Sequence, residues 1–272
     1  MDINILCIGD VVGRPGRMVV AQTLPKLTKE HALDCVIANV ENAAAGSGLT
    51  EGLHAKFLRF GVNLLTMGDH IYRRGDLIPV LQRSDSIVRP ANFPPESAGK
   101  EFAVYQTRQG PQVAVVSLLG RLFMKPVADC PFHAIDRVLA QIPPEVKIIA
   151  VDVHAEATSE KIAMGWYLNG RVSIVFGTHT HVATADERIL DQGTAYITDL
   201  GMTGPFDGVL GRRKDRVLQA ITTGMPAPFD VASGDIKLSG ILVKVDGETG
   251  RAHHIERISV PCPVGAFNEQ ED

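Results

Sequence analysis

Short apolar runs recur along the chain, each closed by Gly, Asp, Asn or His, and stretches with an apolar residue every third or fourth position separate them. Ile3 to Gly9 predicts a strand. Arg17 to Lys29, with Pro15 just upstream and Val19, Val20, Leu24 and Leu27 on one side, predicts a helix. Cys35 to Val40 reads as a second strand, Glu51 to Phe60 as a helix capped by Thr50, and Val62 to Met67 as a third strand. Phe102 to Thr107 and Val113 to Leu118 flank Arg108-Gln109-Gly110-Pro111, which predicts a hairpin. Val146 to Val153, Ser173 to Gly177 and Ala195 to Thr198 are further expected strands, with helical patterns at Ala134 to Gln141 and Ser159 to Tyr167. Lys237 to Val245 and His253 to Val260 flank Asp246 to Gly250 as a last hairpin. Strands interleaved with both helices and hairpins predict a layered α/β or α+β sandwich on a mixed sheet or two sheets.

Residues 119 to 132 and 201 to 232 carry no clear period and are expected as long loops or a small cap over a site. Residues 1 to 260 are expected to form a single domain, and 261 to 272, with two prolines and an acidic end, a flexible tail.

Composition narrows the class. The 272 residues are 45% hydrophobic and 21% charged, which excludes a disordered, collagen-like or coiled-coil chain. Twenty-seven Lys and Arg against 31 Asp and Glu leave a net charge of −4, so extensive nucleic-acid binding is not expected. Cys7, Cys35, Cys130 and Cys262 are scattered, with no C-x-x-C pair, and read as reduced thiols of a cytoplasmic protein. No apolar stretch approaches the ~20 residues of a membrane helix.

Candidate chemistry lies at the ends of the apolar runs. Asp10 follows the first strand, Glu41 and Asn42 the second, Asp69 and His70 the third, His154 the run ending in Val153, and His179 and His181 the run ending in Gly177-Thr178. In open α/β sheets, ligands bind outside the carboxyl ends of strands. Turn chemistry alone would supply Ser, Asn and Gly there, not repeated His. In His179-Thr180-His181, alternate residues of an extended or turning chain reach the same side, so two imidazoles can serve two neighbouring cations. Imidazole with carboxylate and amide oxygen, and no thiolate, suits Mn, Fe or Zn. Three His, three carboxylates and an Asn exceed the roughly three protein ligands of one catalytic metal and suit a pair of ions.

Gly9-Asp10, Glu41-Asn42, Gly68-Asp69-His70, His154 and Gly177-Thr178-His179-Thr180-His181 resemble, in order and spacing, the blocks of the calcineurin-like metallophosphoesterases. The runs Glu41 to Thr50 and Asp199 to Gly211 resemble signatures of its YmdB-type bacterial phosphodiesterase branch. The resemblance implies two mixed β-sheets flanked by helices. It implies Asp10, Glu41, Asn42 and His181 on one metal, and Asp69, His154 and His179 on the other, with Glu41 bridging. Two divalent or mixed-valence ions follow, iron foremost, with manganese or zinc as options. The implied activity is hydrolysis of small phosphodiesters, 2′,3′- or 3′,5′-cyclic nucleotides, by a metal-bridging hydroxide with His70 as general acid, in a homo-oligomer. Asp69 departs from the Asn of the family's Gly-Asn-His block; its added charge should hold a cation more tightly and weaken it as a Lewis acid. The alternative is a metal-containing regulatory or binding module of the same fold with little or no catalysis.

Overall fold

The structure is a computed structural model that describes residues 1–125 and 127–263. The chain begins with β1 (Asp2–Ile8) and the two-residue β2 (Asp10–Val11), then α1 (Gly13–Glu30), β3 (Cys35–Asn39), α2 (Glu51–Phe60), β4 (Leu64–Thr66), α3 (Ile78–Arg83) and β5 (Ile87–Val88). It crosses into a second sheet with β6 (Phe102–Gln106), β7 (Gln112–Leu119), α4 (Pro131–Leu139), β8 (Ile148–His154), α5 (Thr158–Leu168), β9 (Ile174–Thr178), β10 (Arg188–Ile189) and β11 (Ala195–Ile197). It returns through β12 (Met202–Pro205), α6 (Lys214–Thr223), β13 (Ile236–Asp246) and β14 (Ala252–Pro261).

Both sheets are mixed. In the first, β1, β3, β4 and β5 run parallel in that order, and β13 joins β1 antiparallel with Ile8 opposite Gly240. β14 covers the other edge of β13, and β12 lines up beyond β1 to pair with β13 and with β2. In the second, β7, β8, β9 and β11 are parallel, and β6 and β10 are antiparallel edge strands.

The alternation of side chains across each strand builds four layers. Ile3, Ile5 and Cys7 of β1 meet Val113, Val115 and Ile148 of the second sheet, while Leu6 and Ile8 face Val19, Val20 and Leu24 of α1. Val116, Val151 and Val153 pack on Ile135 and Val138 of α4 and Met164 and Leu168 of α5. Strands covered on both faces read as continuous apolar runs, which is why they are conspicuous in the sequence.

Residues 201 to 232, expected as long loops or a small cap, include β12 and α6. Val217 is the one buried residue of α6, while Leu218 and Ile221, on neighbouring turns, are exposed. Residues 120–125 and 127–130 lie outside helix and strand, and α4 begins at Pro131. Of the expected tail, Pro261 is paired in β14, and residues 264 to 272 lie outside the described residues. Among the described residues, no helix is long and apolar enough to cross a membrane.

Candidate metal centre

The parallel strands of both sheets end on one side of the sandwich, and the polar residues that follow them converge there. Asp10 sits in β2, held by the pairing of β2 with β12. Glu41 and Asn42 follow β3, Asp69 and His70 follow β4, His154 ends β8, and His179 and His181 follow β9. One ligand atom each of Glu41, Asp69, His154 and His179 lies within 4.8 Å of all the others. His154 Nε2 is 3.1 Å from Glu41 Oε1 and 3.2 Å from Asp69 Oδ1, and His179 Nδ1 is 3.1 Å from His154 Nε2. Beside this group, His181 Nε2 is 3.2 Å from Asn42 Nδ2 and 3.8 Å from Asp10 Oδ1. His70 binds Asn42 Oδ1 through Nδ1 at 2.8 Å and gives its backbone N–H to Glu41 Oε2 at 3.0 Å. All eight residues singled out in the sequence therefore meet at one place.

The approach is so close that a side chain on Gly68 is excluded: a Cβ there would lie 2.1 Å from the His154 ring. His179 and His181 take φ of 93° and 64°, a left-handed backbone that costs energy for side chains with a Cβ. Surrounding bonds hold it. His179 N–H donates to Asp10 Oδ2 at 3.1 Å, and Thr180 donates its hydroxyl to Asp199 Oδ2 at 2.8 Å. Asp199 is itself anchored by Lys161 Nζ at 2.6 Å and Gly201 N–H at 2.7 Å, with Lys161 and Asp199 both buried.

A second polar layer lies beneath His154. Its Nδ1 is 2.8 Å from Thr178 Oγ1, whose hydroxyl donates to Asp152 Oδ1 at 2.6 Å. Asp152 Oδ2 accepts from Thr66 at 2.5 Å and from Asn39 at 3.1 Å. With its hydroxyl proton on Asp152, Thr178 accepts from His154 Nδ1–H, so Nε2 presents its lone pair to the carboxylate cluster. Sequence reading passed over Asp152, Asn39, Thr66 and Thr178. Their signal is a polar residue inside an otherwise apolar strand, as for Asp152, or at its last position, as for Asn39, Thr66 and Thr178, since a buried polar group needs a partner.

The electrostatics fit cations. Burial pushes the Asp10 carboxyl up to about 7, Asp199 and Glu41 adding to the rise while His154 opposes it. Asp10 Oδ1 is a buried oxygen without a hydrogen-bond donor. Burial alone would lower His154, yet Glu41, Asp69 and Asp10 pull its pKa well above the ordinary value. Burial would raise Glu41 and Asp69, but His154 holds both below the usual carboxylate range. A pocket that raises the pKa of a fully buried imidazole has a surplus of negative charge, which a metal cation would balance.

Basic residues near the cluster brace it from outside. Arg17 Nη1 donates to the Ala43 carbonyl at 2.6 Å, and Arg212 binds the carbonyls of Ala45 and Gly46. Arg213 and Lys214 pair at the surface with Asp215 and Asp207.

Two mixed sheets, helices on both outer faces and a His–carboxylate cluster at converging strand ends define a metallophosphoesterase fold. Residues 6–258 match the model of the YmdB-like protein family, and the chain belongs to that family. It is 45% identical over 258 residues to the 2′,3′-cyclic-nucleotide 2′-phosphodiesterase of Bacillus subtilis, covering 95% of this chain and 97% of that one. It is 35% identical to a putative phosphatase/phosphodiesterase of Mycoplasma pneumoniae, over 95% and 93% of the two chains. The crystal structure of a hypothetical protein from Thermus thermophilus superposes with a TM-score of 0.89 at 39% identity, over 96% of this chain and all of that one. That of a Mycoplasma pneumoniae phosphatase also gives 0.89, at 32% identity over 96% and 94%.

Proposed function

We propose that this chain is a two-cation phosphodiesterase of the cytoplasm that hydrolyses small cyclic nucleotides, 2′,3′-cyclic ones foremost. The convergence of Asp10, Glu41, Asn42, Asp69, His154, His179 and His181 carries the reading, and the B. subtilis relative supports the substrate. Asp10, Asn42 and His181 would hold one cation and Asp69, His154 and His179 the other, with Glu41 shared. Two cations would supply Lewis acidity to the phosphoryl oxygens and lower the pKa of an attacking water. Asp10, Glu41 and Asp69 offer about three negative charges against ~+4 from two divalent ions, so a phosphodiester anion completes the balance. Cys7, Cys35, Cys130 and Cys262 are free thiols, in keeping with a reducing compartment.

The chain's own groups then position and protonate. Asn42 holds Nδ1 of His70, which leaves Nε2, 3.8 Å from Asp69 Oδ2, to hand a proton to the departing alkoxide. Thr178 and Asp152 keep the His154 Nε2 lone pair directed at the cluster.

The test is turnover of 2′,3′-cyclic AMP by protein stripped with chelator and reloaded with Mn²⁺ or Fe²⁺, beside His70→Ala. Chelator-sensitive turnover is expected, with a loss of about 10²- to 10⁴-fold in the variant. The loss should shrink on bis(p-nitrophenyl) phosphate, whose leaving group needs no proton. No turnover with any metal would refute the enzyme and favour a binding module; full rate in His70→Ala on the cyclic nucleotide would refute the acid.

A further inference from the structure

The segment after β7 shapes what reaches the cluster. Gly120 fits against Ala155, where a Cβ would come within 2.5 Å of the alanine methyl. The carboxylate of Glu160 in α5 accepts the backbone N–H groups of Arg121, at 3.0 and 3.1 Å, and Leu122, at 3.1 Å. Pinned there, the chain turns at Phe123 with φ 64°, a conformation unfavourable for a bulky side chain. Phe123 is 85% exposed, so its side chain gains little packing within the protein in return. Phe123, Met124 and Lys125 nevertheless line a cavity of about 230 Å³ together with Asp69, His70, Arg73 and His179. An aromatic face, two cations and three residues of the cluster thus share one small space.

We propose that Phe123 is the stacking platform for the nucleobase of the substrate, with Arg73 and Lys125 flanking its phosphate. The inference rests on the phosphodiesterase reading and adds the feature that selects a nucleoside ester over a base-free one. A cyclic nucleotide whose phosphate lies against Asp69, His70 and His179 carries a planar base within the same cavity. Every base has a π-face, so stacking on Phe123 recognises the class with little discrimination between bases.

The experiment compares wild type, Phe123→Ala and Phe123→Tyr on 2′,3′-cyclic AMP, 2′,3′-cyclic UMP and the base-free ethylene cyclic phosphate. The alanine variant is expected to raise KM for both nucleotides by about 5- to 100-fold at nearly constant kcat, and the tyrosine variant to keep it. Kinetics on the base-free ester should be the same in all three proteins. Equal losses on all substrates, or an unchanged nucleotide KM in Phe123→Ala, would overturn the proposal while leaving the phosphodiesterase intact. Equilibrium binding of etheno-AMP keeps the two readings separable. If wild type turns nothing over, weaker binding of this probe by Phe123→Ala still supports the platform, and unchanged binding overturns it. A change of sedimentation mass in Phe123→Ala with an unchanged nucleotide KM would assign the ring to self-association instead.

Discussion

Removing one hydroxyl beneath the centre tests whether the buried layer orients His154. Thr178→Val preserves shape and deletes three bonds, one of 2.6 Å to the Asp152 carboxylate, one of 2.8 Å to His154 Nδ1 and a longer one of 3.4 Å accepted from Asn39 Nδ2. Asp152 keeps Thr66 and Asn39, whereas the His154 Nδ1–H, on a fully buried ring, is left without an acceptor, since the Asn39 atom 3.4 Å away is the amide nitrogen, itself a donor. A buried bond to a charged group contributes about 1.5–3 kcal/mol, and a stranded buried donor costs about 1–3 kcal/mol. Together these give a loss of roughly 2.5–6 kcal/mol, or a Tm lower by about 5–24 °C. Freed from its partner, the imidazole can rotate or take the other tautomer, so cation affinity should fall about 10- to 100-fold. Thermal unfolding followed by circular dichroism reads the first effect, and competition for Mn²⁺ against a chelator of known affinity reads the second. Thr178→Ser, which keeps the hydroxyl, should stay close to wild type in both. A valine variant within ~1 kcal/mol of wild type, with unchanged Mn²⁺ affinity, would refute an orienting role for Thr178 and Asp152.

Other outcomes follow from the same geometry. Lys161→Met leaves Asp199 buried without its 2.6 Å partner, so unfolding should become easier by about 3–5 kcal/mol, read by urea denaturation. If Lys161→Met proves neutral, Asp199 is not held by that charge. Gly68→Ala forces a methyl into the His154 ring, and metal content by mass spectrometry should drop while the secondary structure is kept. Wild-type metal content in this variant would contradict the packing described. Asp69→Asn removes one negative charge from the cluster, so the protein should lose its cations at lower chelator concentration and turn over faster per bound metal. Tighter retention in Asp69→Asn would reverse the sign of that argument.

The elements easiest to read ahead of the structure are those whose local chemistry agrees with their packing. α2 runs over the expected Glu51–Phe60 because Thr50 accepts the Leu53 N–H at 3.3 Å and Gly61 ends the helix at φ 102°. α1 starts earlier than Arg17, at Gly13, since Pro15 is tolerated in a first turn. β2 and β5 are two residues each and have no period of their own; only partners make them strands. β12, Met202-Thr203-Gly204-Pro205, looks like a loop in composition and is a strand because β2 and β13 flank it.

The donor residues were legible because strand ends are marked by a change from apolar to polar, and His and carboxylates accumulate at those marks. Sequence alone thus determined the apolar strands, the main helices and the identity of the candidate ligands. Tertiary structure decided which sheets those strands form and that their carboxyl ends meet within a few ångströms. It also decided which polar residues lie under the ligands, pairing Asp152 with Thr178 and Lys161 with Asp199 across 26 and 38 positions of chain. The physical reason is range. Apolar period and capping act within a few residues, whereas desolvation, charge surplus and the partner of a buried polar group depend on neighbours that only folding brings into contact.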